Sequence, residues 1–359
     1  PFVWYTLKEI FCDREIACDS AVLQMISADE YQAYGTTLIN FAEKISSFSS
    51  PLAVGMSGNF RQMKRRILNI AVFRKETLYQ KMRALIIYLV ISAVFIGCTP
   101  ILSIDASTQS VYHFSDTDKN ISLLDISETF GTYDGSFVLY DNNLDSWKIY
   151  DLEEATKRIP PESTYKIYDA LLGLESGIIT PEHSSMTWNG DAFPFPSWEA
   201  DQDLNSAMQN SVNWYFQAID SQLGINRVQE FLNKIEYGNQ TTSSNLDLYW
   251  SDFSLKISPL EQVTLLKKFN TNEFHLNSQN VFSVKNAIKI ASTPNGNFYG
   301  KTGTGRVNGQ DINGWFIGYV ETSDNSYYFA TNIQSDSNAT GKKAFEITSD
   351  ILKKLHIWN

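Results

Sequence analysis

The chain has 359 residues, enough for two domains, and its 43% hydrophobic and 19% charged content marks a folded protein rather than a disordered one. The net charge of −11 is unevenly placed: residues 1–83 hold 11 Lys/Arg against 8 Asp/Glu, a net of +3, whereas 84–359 hold 18 against 32, a net of −14. The acidic part is ill suited to nucleic acid, whose phosphates it would repel. The three cysteines, Cys12, Cys18 and Cys98, leave everything after residue 98 without a disulfide framework.

Pro1–Tyr5 is apolar but has no charged segment before it, so it does not read as a signal peptide. The absence of an initiator Met reads as a piece of something longer. The uncharged run from Ala84 to Leu102 spans about 28 Å as a helix, close to the roughly 30 Å of a bilayer core. Arg61, Lys64, Arg65, Arg66, Arg74, Lys75, Lys81 and Arg83 precede it, and Asp105, Asp116 and Asp118 follow it. Excess Lys/Arg marks the cytoplasmic side. The expected organisation is a helical cytoplasmic segment over 1–83, one transmembrane helix over 84–103 and an extracellular domain over 104–359. That places the chain in the cell membrane as a single-pass protein.

The outer part begins with strand-like alternation over Ser136–Tyr140 and Ser146–Tyr150, joined by a turn at Asp141-Asn142-Asn143. Helical stretches fill the middle. Strands return at Phe298–Thr302, Gly314–Val320 and Tyr327–Ile333, before an amphipathic helix over Lys342–Leu355. Strands at both ends with helices between them predict an α+β domain whose ends meet in one antiparallel sheet flanked by helices.

Three short motifs carry chemistry. Ser163-Thr164-Tyr165-Lys166 follows Pro160-Pro161, a pair suited to a helix entrance. If Ser163 opens the helix, Lys166 lies one turn on along the same face, where its amine can take the serine proton. Helix-end N–H groups then lie near a developing oxyanion. Ser211-Val212-Asn213 comes 48 residues later, within a helical stretch, and Lys301-Thr302-Gly303 a further 90 residues on. Lys301 and Thr302 offer a cation and a hydroxyl to a substrate carboxylate, and Gly303 allows close approach to the backbone. Each motif is common singly. In this order and context they form the signature of serine penicillin-recognising proteins, which predicts a serine β-lactamase/transpeptidase-like domain.

Tyr237-Gly238-Asn239, Leu248-Tyr249-Trp250 and Leu255-Lys256-Ile257-Ser258 further resemble segments of class D β-lactamases. The resemblance implies Ser163 as nucleophile and Lys166 as base, with carbon dioxide added to Lys166 as a carbamate that Trp250 hydrogen-bonds. It implies Ser211 as proton relay to the leaving nitrogen and Lys301 and Thr302 as carboxylate binders. The N–H groups of Ser163 and Thr304 would form the oxyanion hole. Trp250 reads equally well as a core aromatic. Asn213 departs from that family, which usually has an apolar residue there, and its amide competes for Lys166.

In this respect the chain resembles the sensor domains of BlaR/MecR-type β-lactam receptors, as do Gly300–Gly305 and Asn313–Tyr319. Arg14-Glu15-Ile16-Ala17-Cys18-Asp19 is similar to part of the membrane zinc metallopeptidase of those receptors. Glu15 would supply a zinc ligand there, supported by Asp19, but only beside a His-Glu-x-x-His that this sequence lacks; zinc is expected in a longer protein alone. His113, His183, His275 and His356 are scattered and read as surface or packing residues. Arg65-Arg66 is a candidate cleavage site as well as positive-inside charge.

The resemblance implies a membrane-anchored receptor, acylated at Ser163 by β-lactam antibiotics and released slowly. A transcriptional repressor is the implied downstream partner, with no nucleic acid bound directly. The alternatives are a class D β-lactamase that turns over and a cell-wall D,D-transpeptidase or carboxypeptidase.

Overall fold

The strand residues of the C-terminal part alternate between two apolar environments, which is why their sequence reads as near-continuous hydrophobic runs. In the computed structural model of the chain, Phe137 and Leu139 face one core while Val138 and Tyr140 face another. Trp315, Ile317 and Tyr319 alternate with Phe316 and Val320 in the same way. A sheet covered on both faces buries both sets of alternate side chains.

The structure describes residues 2–46, 60–75, 79, 82–83, 85–92, 110–115, 117 and 119–359. The chain divides into two units, Pro1–Thr99 and Pro100–Asn359. The first contains α1 (Phe2–Met25), α2 (Tyr31–Ser46) and α3 (Phe60–Ala71). The chief polar tie within it is Arg66, whose guanidinium donates to both carboxylate oxygens of buried Asp19 at 2.7 and 2.8 Å. Tyr34 Oη donates to the same carboxylate at 2.8 Å. Arg65 pairs with Glu9 at 2.6 Å. The dibasic pair lies inside α3, so cleavage there would first require unwinding that helix.

Residues 85–92 are helical, and Leu85, Ile86, Ile87, Tyr88, Leu89, Val90 and Ile91 all expose their side chains. The remainder of the expected membrane run, Ala84 and residues 93–103, lies outside the described residues. Among the described residues no helix is long and apolar enough to cross a membrane.

The second unit contains β1 (Asn120–Leu123), α4 (Ser127–Phe130), β2 (Asp134–Asp141), β3 (Ser146–Tyr150) and α5 (Leu152–Thr156). A 3₁₀ turn, Glu162–Tyr165, leads into α6 (Lys166–Glu175). Then come α7 (Leu204–Gln209), α8 (Asn213–Leu223), α9 (Ile225–Ile235), α10 (Pro259–Asn270) and α11 (Ser278–Ala287). The chain closes with β4 (Lys289–Thr293), β5 (Gly296–Val307), β6 (Gln310–Thr322), β7 (Ser326–Gln334) and α12 (Gly341–Lys354).

The sheet order is β1-β3-β2-β7-β6-β5-β4. Its central pairs are antiparallel, so the N- and C-terminal strands meet at β2 and β7 as predicted. At the edge, β1 runs parallel to β3, which makes the sheet mixed rather than purely antiparallel. Four residues without clear alternation left β1 invisible in the sequence. Helices α4 and α12 cover one face, and the helices from α6 to α11 pack over the larger core on the other.

Two local signals set the middle of the domain. Ser258 caps α10 and Glu261 returns the bond, a capping box with Pro259 at the first helical position. Glu261 also takes a bidentate pair from Arg158, at 2.5 Å for its shortest contact. Ile159 and Ile257 exchange backbone bonds at 3.1 and 2.9 Å. The turn that carries Ser163 is thereby fastened to the segment leading into α10.

Candidate active site

The Ser163 turn is 3₁₀ rather than α-helical, and that tightness matters. In a 3₁₀ turn, residues i and i+3 eclipse one another. Lys166 Nζ consequently donates to Ser163 Oγ at 2.7 Å. The turn is anchored beneath by Pro160, whose carbonyl accepts from Trp315 Nε1 at 2.8 Å and Asn313 Nδ2 at 3.1 Å. Glu162 N donates to the carbonyl of Trp250 at 3.1 Å.

Lys166 is 1% exposed. Its Nζ also donates to Asn213 Oδ1 at 2.6 Å, and it lies 5.7 Å from the ring centre of Phe216 and 5.8 Å from that of Trp250. Burial pulls its basicity down to about 7, with Asp169 and Glu162 pulling the other way. A substantial fraction of the amine is therefore neutral near physiological pH, as a proton acceptor requires. Trp250 is buried and stacks on Tyr165 at 6.2 Å, and it presents a ring face to the amine.

Ser211 does not sit within a helix, contrary to the sequence reading. It occupies a left-handed conformation, φ 53°, in the break between α7 and α8, and Asn213 is the first residue of α8. The break turns Ser211 toward β5, where Lys301 Nζ donates to its hydroxyl. Lys301 is buried, and burial followed by the neighbouring Lys166 pushes its amine well below the usual lysine range. Its second bond is to the carbonyl of Thr302 at 3.0 Å.

Gly303 is where β5 touches the nucleophile turn. A Cβ there would stand 3.1 Å from both the Pro161 carbonyl oxygen and Glu162 Cβ, and 3.2 Å from the Ser163 nitrogen. Only glycine lets the strand come this close without displacing a neighbour. Thr304 Oγ1 accepts from the Gly341 N–H at 2.8 Å, which ties the strand to the start of α12.

A cavity of about 460 Å³ opens over these groups, and Ser163, Ser211, Asn213, Thr302, Gly303 and Thr304 all line it. Sequence reasoning passed over its walls. Phe195 and Trp198 form an aromatic side, with ring centres 5.2 Å apart. Arg306 and Lys342 place cations at the mouth, the first paired with Asp311 at 2.7 Å.

Glu162 was also overlooked. It sits at φ 52°, buried between Gly303, Gly305 and Asn313, with Oε1 accepting from Asn313 Nδ2 at 3.3 Å. Burial raises its carboxyl to about 8, against the smaller lowering effects of Asn313 and Lys166. No sequence pattern marks a glutamate as buried.

Glu15, the conditional zinc ligand, lies in the other unit and pairs with Arg14 at 3.2 Å and Arg66 at 3.6 Å. Asp19 is committed to Arg66 and Tyr34. Both carboxylates are engaged by arginines in this structure. Among the described residues no group of His, Cys, Asp and Glu could hold a metal ion.

Residues 132–353 match the penicillin binding protein transpeptidase domain. The chain belongs to that family. Residues 1–70 match the BlaR1 peptidase M56 family, so the likeness to BlaR1 runs through both units. The regulatory protein BlaR1 of Bacillus licheniformis is 42% identical over 362 residues, covering 100% of this chain and 60% of the relative. This chain thus spans under two thirds of that relative's length. The solved C-terminal domain of the Bacillus licheniformis BlaR penicillin-receptor is 45% identical, with a TM-score of 0.66 over 67% of this chain and 99% of that domain. The class D β-lactamase BAT-2 is 36% identical, with a TM-score of 0.62 over 66% of this chain and 97% of the enzyme.

Proposed function

We propose that this chain is the receptor part of a membrane-anchored β-lactam sensor, acylated at Ser163 and slow to release the acyl group. The observation that carries the reading is Lys166 Nζ, which donates to Ser163 Oγ and to Asn213 Oδ1, two residues that line the cavity. The likeness to a penicillin receptor supports it.

In the proposed reaction, Lys166 takes the Ser163 proton as Oγ attacks the β-lactam carbonyl, and the N–H groups of Ser163 and Thr304 hold the oxyanion. The new Oγ–C bond forms and the ring C–N bond breaks. Ser211, polarised by Lys301, relays a proton to the leaving nitrogen and is repaid through Lys166. Lys301 is buried against Ser211, so the antibiotic carboxylate is assigned to Thr302 with the cations Arg306 and Lys342 nearby. Gly303 keeps the strand close enough for this geometry.

Deacylation needs a base for water. Carbon dioxide on Lys166 would supply a carbamate oxygen to take the water's proton, but the Asn213 oxygen already faces Nζ at 2.6 Å and opposes an anion there. The acyl group then persists. Phe216 and Trp250 exclude water from the same amine. The basic residues before 84 and the exposed apolar helix at 85–92 support membrane anchorage. Inward signalling, an extracellular position for the cavity and a downstream repressor belong to the same proposal.

The likeness to a class D β-lactamase favours a second reading, a hydrolase that turns over. Intact-mass spectrometry of the full chain with benzylpenicillin separates the two. A lasting adduct that maps to Ser163 and is absent from Ser163→Ala supports the receptor. A transient adduct with steadily accumulating penicilloate supports the hydrolase, and no adduct at all defeats both.

A further inference from the structure

Beneath the reactive amine lies a second layer of chemistry that the acylation steps do not use. Asp169 follows Lys166 by three residues on α6, so the two lie one turn apart on the same face. Asp220 follows Asn213 by seven residues on α8, two turns down the face that carries the Asn213 amide. The helices α6 and α8 pack together. One layer joins Lys166 to Asn213, and below it Asp169 and Asp220 stand within hydrogen-bonding reach of each other.

Both aspartates are 0% exposed. As two carboxylates they would be badly placed. Neither oxygen of Asp169 and only one of Asp220 has a donor, the latter being Tyr249 Oη at 3.4 Å. Two ionised carboxylates in contact, away from water, repel strongly, and one proton held between them removes both the repulsion and the missing donor.

We propose that Asp169 and Asp220 share one proton and act as the buried countercharge of Lys166, a positioning pair for the base that activates Ser163. The proposal rests on the acylation reading above. The surrounding groups leave this task to the pair. Tyr165, Tyr215, Tyr237 and Tyr249 face the same core and are held neutral by burial. Glu162 acts on Lys166 in the same direction but less than Asp169, and Lys301 is a like charge rather than a countercharge. Asp247 acts on Asp220 only as a lesser influence. Burial raises both aspartates, the charge of Asp169 raises Asp220 further, and Lys166 pulls Asp169 back toward its ionised form.

The pair's negative charge favours the ammonium that forms when Lys166 takes the Ser163 proton. It also keeps the resting amine from becoming too weak a base to take that proton. The proton on the pair is not transferred during acylation; it remains between the carboxyls throughout.

The test is the pH dependence of adduct formation on the full chain with benzylpenicillin. The double variant Asp169→Asn/Asp220→Asn removes the charge, and the acid limb of the profile moves to lower pH by about one unit, a roughly tenfold change in the rate relative to its plateau. Either single variant leaves one carboxyl, stabilised by the new amide, and keeps the limb near its wild-type position. A purely structural role moves no limb. Coincident limbs for the double variant and the wild type overturn the proposal, as does a single variant that shifts as far as the double.

Infrared difference spectra of the unreacted protein supply a check that needs neither the double variant nor acylation. At neutral pH the wild type shows, beside the Glu162 carboxyl band recognised by its loss in Glu162→Gln, a second protonated buried carboxyl band that disappears in Asp169→Asn and equally in Asp220→Asn. Persistence of that band in both overturns the proposal. Failure of the wild type to acylate would instead count against the receptor reading alone.

Discussion

Asn213 Oδ1 accepts a hydrogen bond at 2.6 Å from the same Lys166 Nζ that donates to Ser163 Oγ at 2.7 Å. On the proposed receptor reading, this amide would orient the base for attack by Ser163 and crowd it against carbon dioxide. The first effect would speed acylation, and the second would slow release.

Replacing Asn213 by Val removes the acceptor and leaves an apolar wall. The adduct lifetime is expected to fall by about tenfold, the equivalent of one hydrogen bond to a charged group. Time-resolved intact-mass spectrometry after removal of free penicillin reads this directly. An unchanged lifetime would take Asn213 out of the explanation for slow release.

The acylation rate of the wild type is expected to rise with pH and level off above about 7, because burial lowers Lys166 to that value and only the neutral amine accepts a proton. An ordinary exposed lysine would still be gaining rate near its usual value of about 10.4. Stopped-flow acylation across this range distinguishes the two shapes.

Glu162 gives the fold a pH dependence of its own. Its carboxyl is raised by burial from 4.5 to about 8 in the folded chain. The unfolded chain loses the proton first as pH rises, so stability is full below about 4.5 and declines up to about 8. Glu162→Gln should lack this decline, with a gain on the order of 2 kcal/mol over the wild type at the alkaline end and little at the acid end. Urea titrations at both ends of the range measure it; equal differences at the two ends would refute the assignment.

Gly303→Ala tests the approach of β5 to the nucleophile turn. The added methyl meets the Pro161 carbonyl oxygen, Glu162 Cβ and the Ser163 nitrogen at 3.1–3.2 Å. The strand must retreat, with an expected stability loss on the order of 1–3 kcal/mol and an acylation rate down about a hundredfold from misplaced oxyanion donors. A variant that acylates at the wild-type rate would show that the contact has slack.

Much of the site was legible because its parts obey local rules. Pro160-Pro161 before Ser163 announces a tight turn, three-residue spacing brings Lys166 back to Ser163, and apolar alternation exposes β2, β3, β5, β6 and β7. Serine, lysine and glycine motifs in a set order added the chemistry. β1 and β4 were not legible: the one is four residues long and the other mostly exposed, so neither carries a periodic apolar signal.

What the sequence by itself determined, then, is the set of motifs that carries the proposed chemistry and the order of the elements that bring it together, since both depend on neighbours along the chain. Only the tertiary structure decided the environment of that chemistry. Ser211 turns out of its helix because β5 lies beside it. Lys166 is a base near neutrality because Phe216 and Trp250 shut out water. Asp169 meets Asp220 across 51 residues of chain because α6 packs on α8. Charge states depend on desolvation and on partners distant in sequence, and those exist only once the chain has packed.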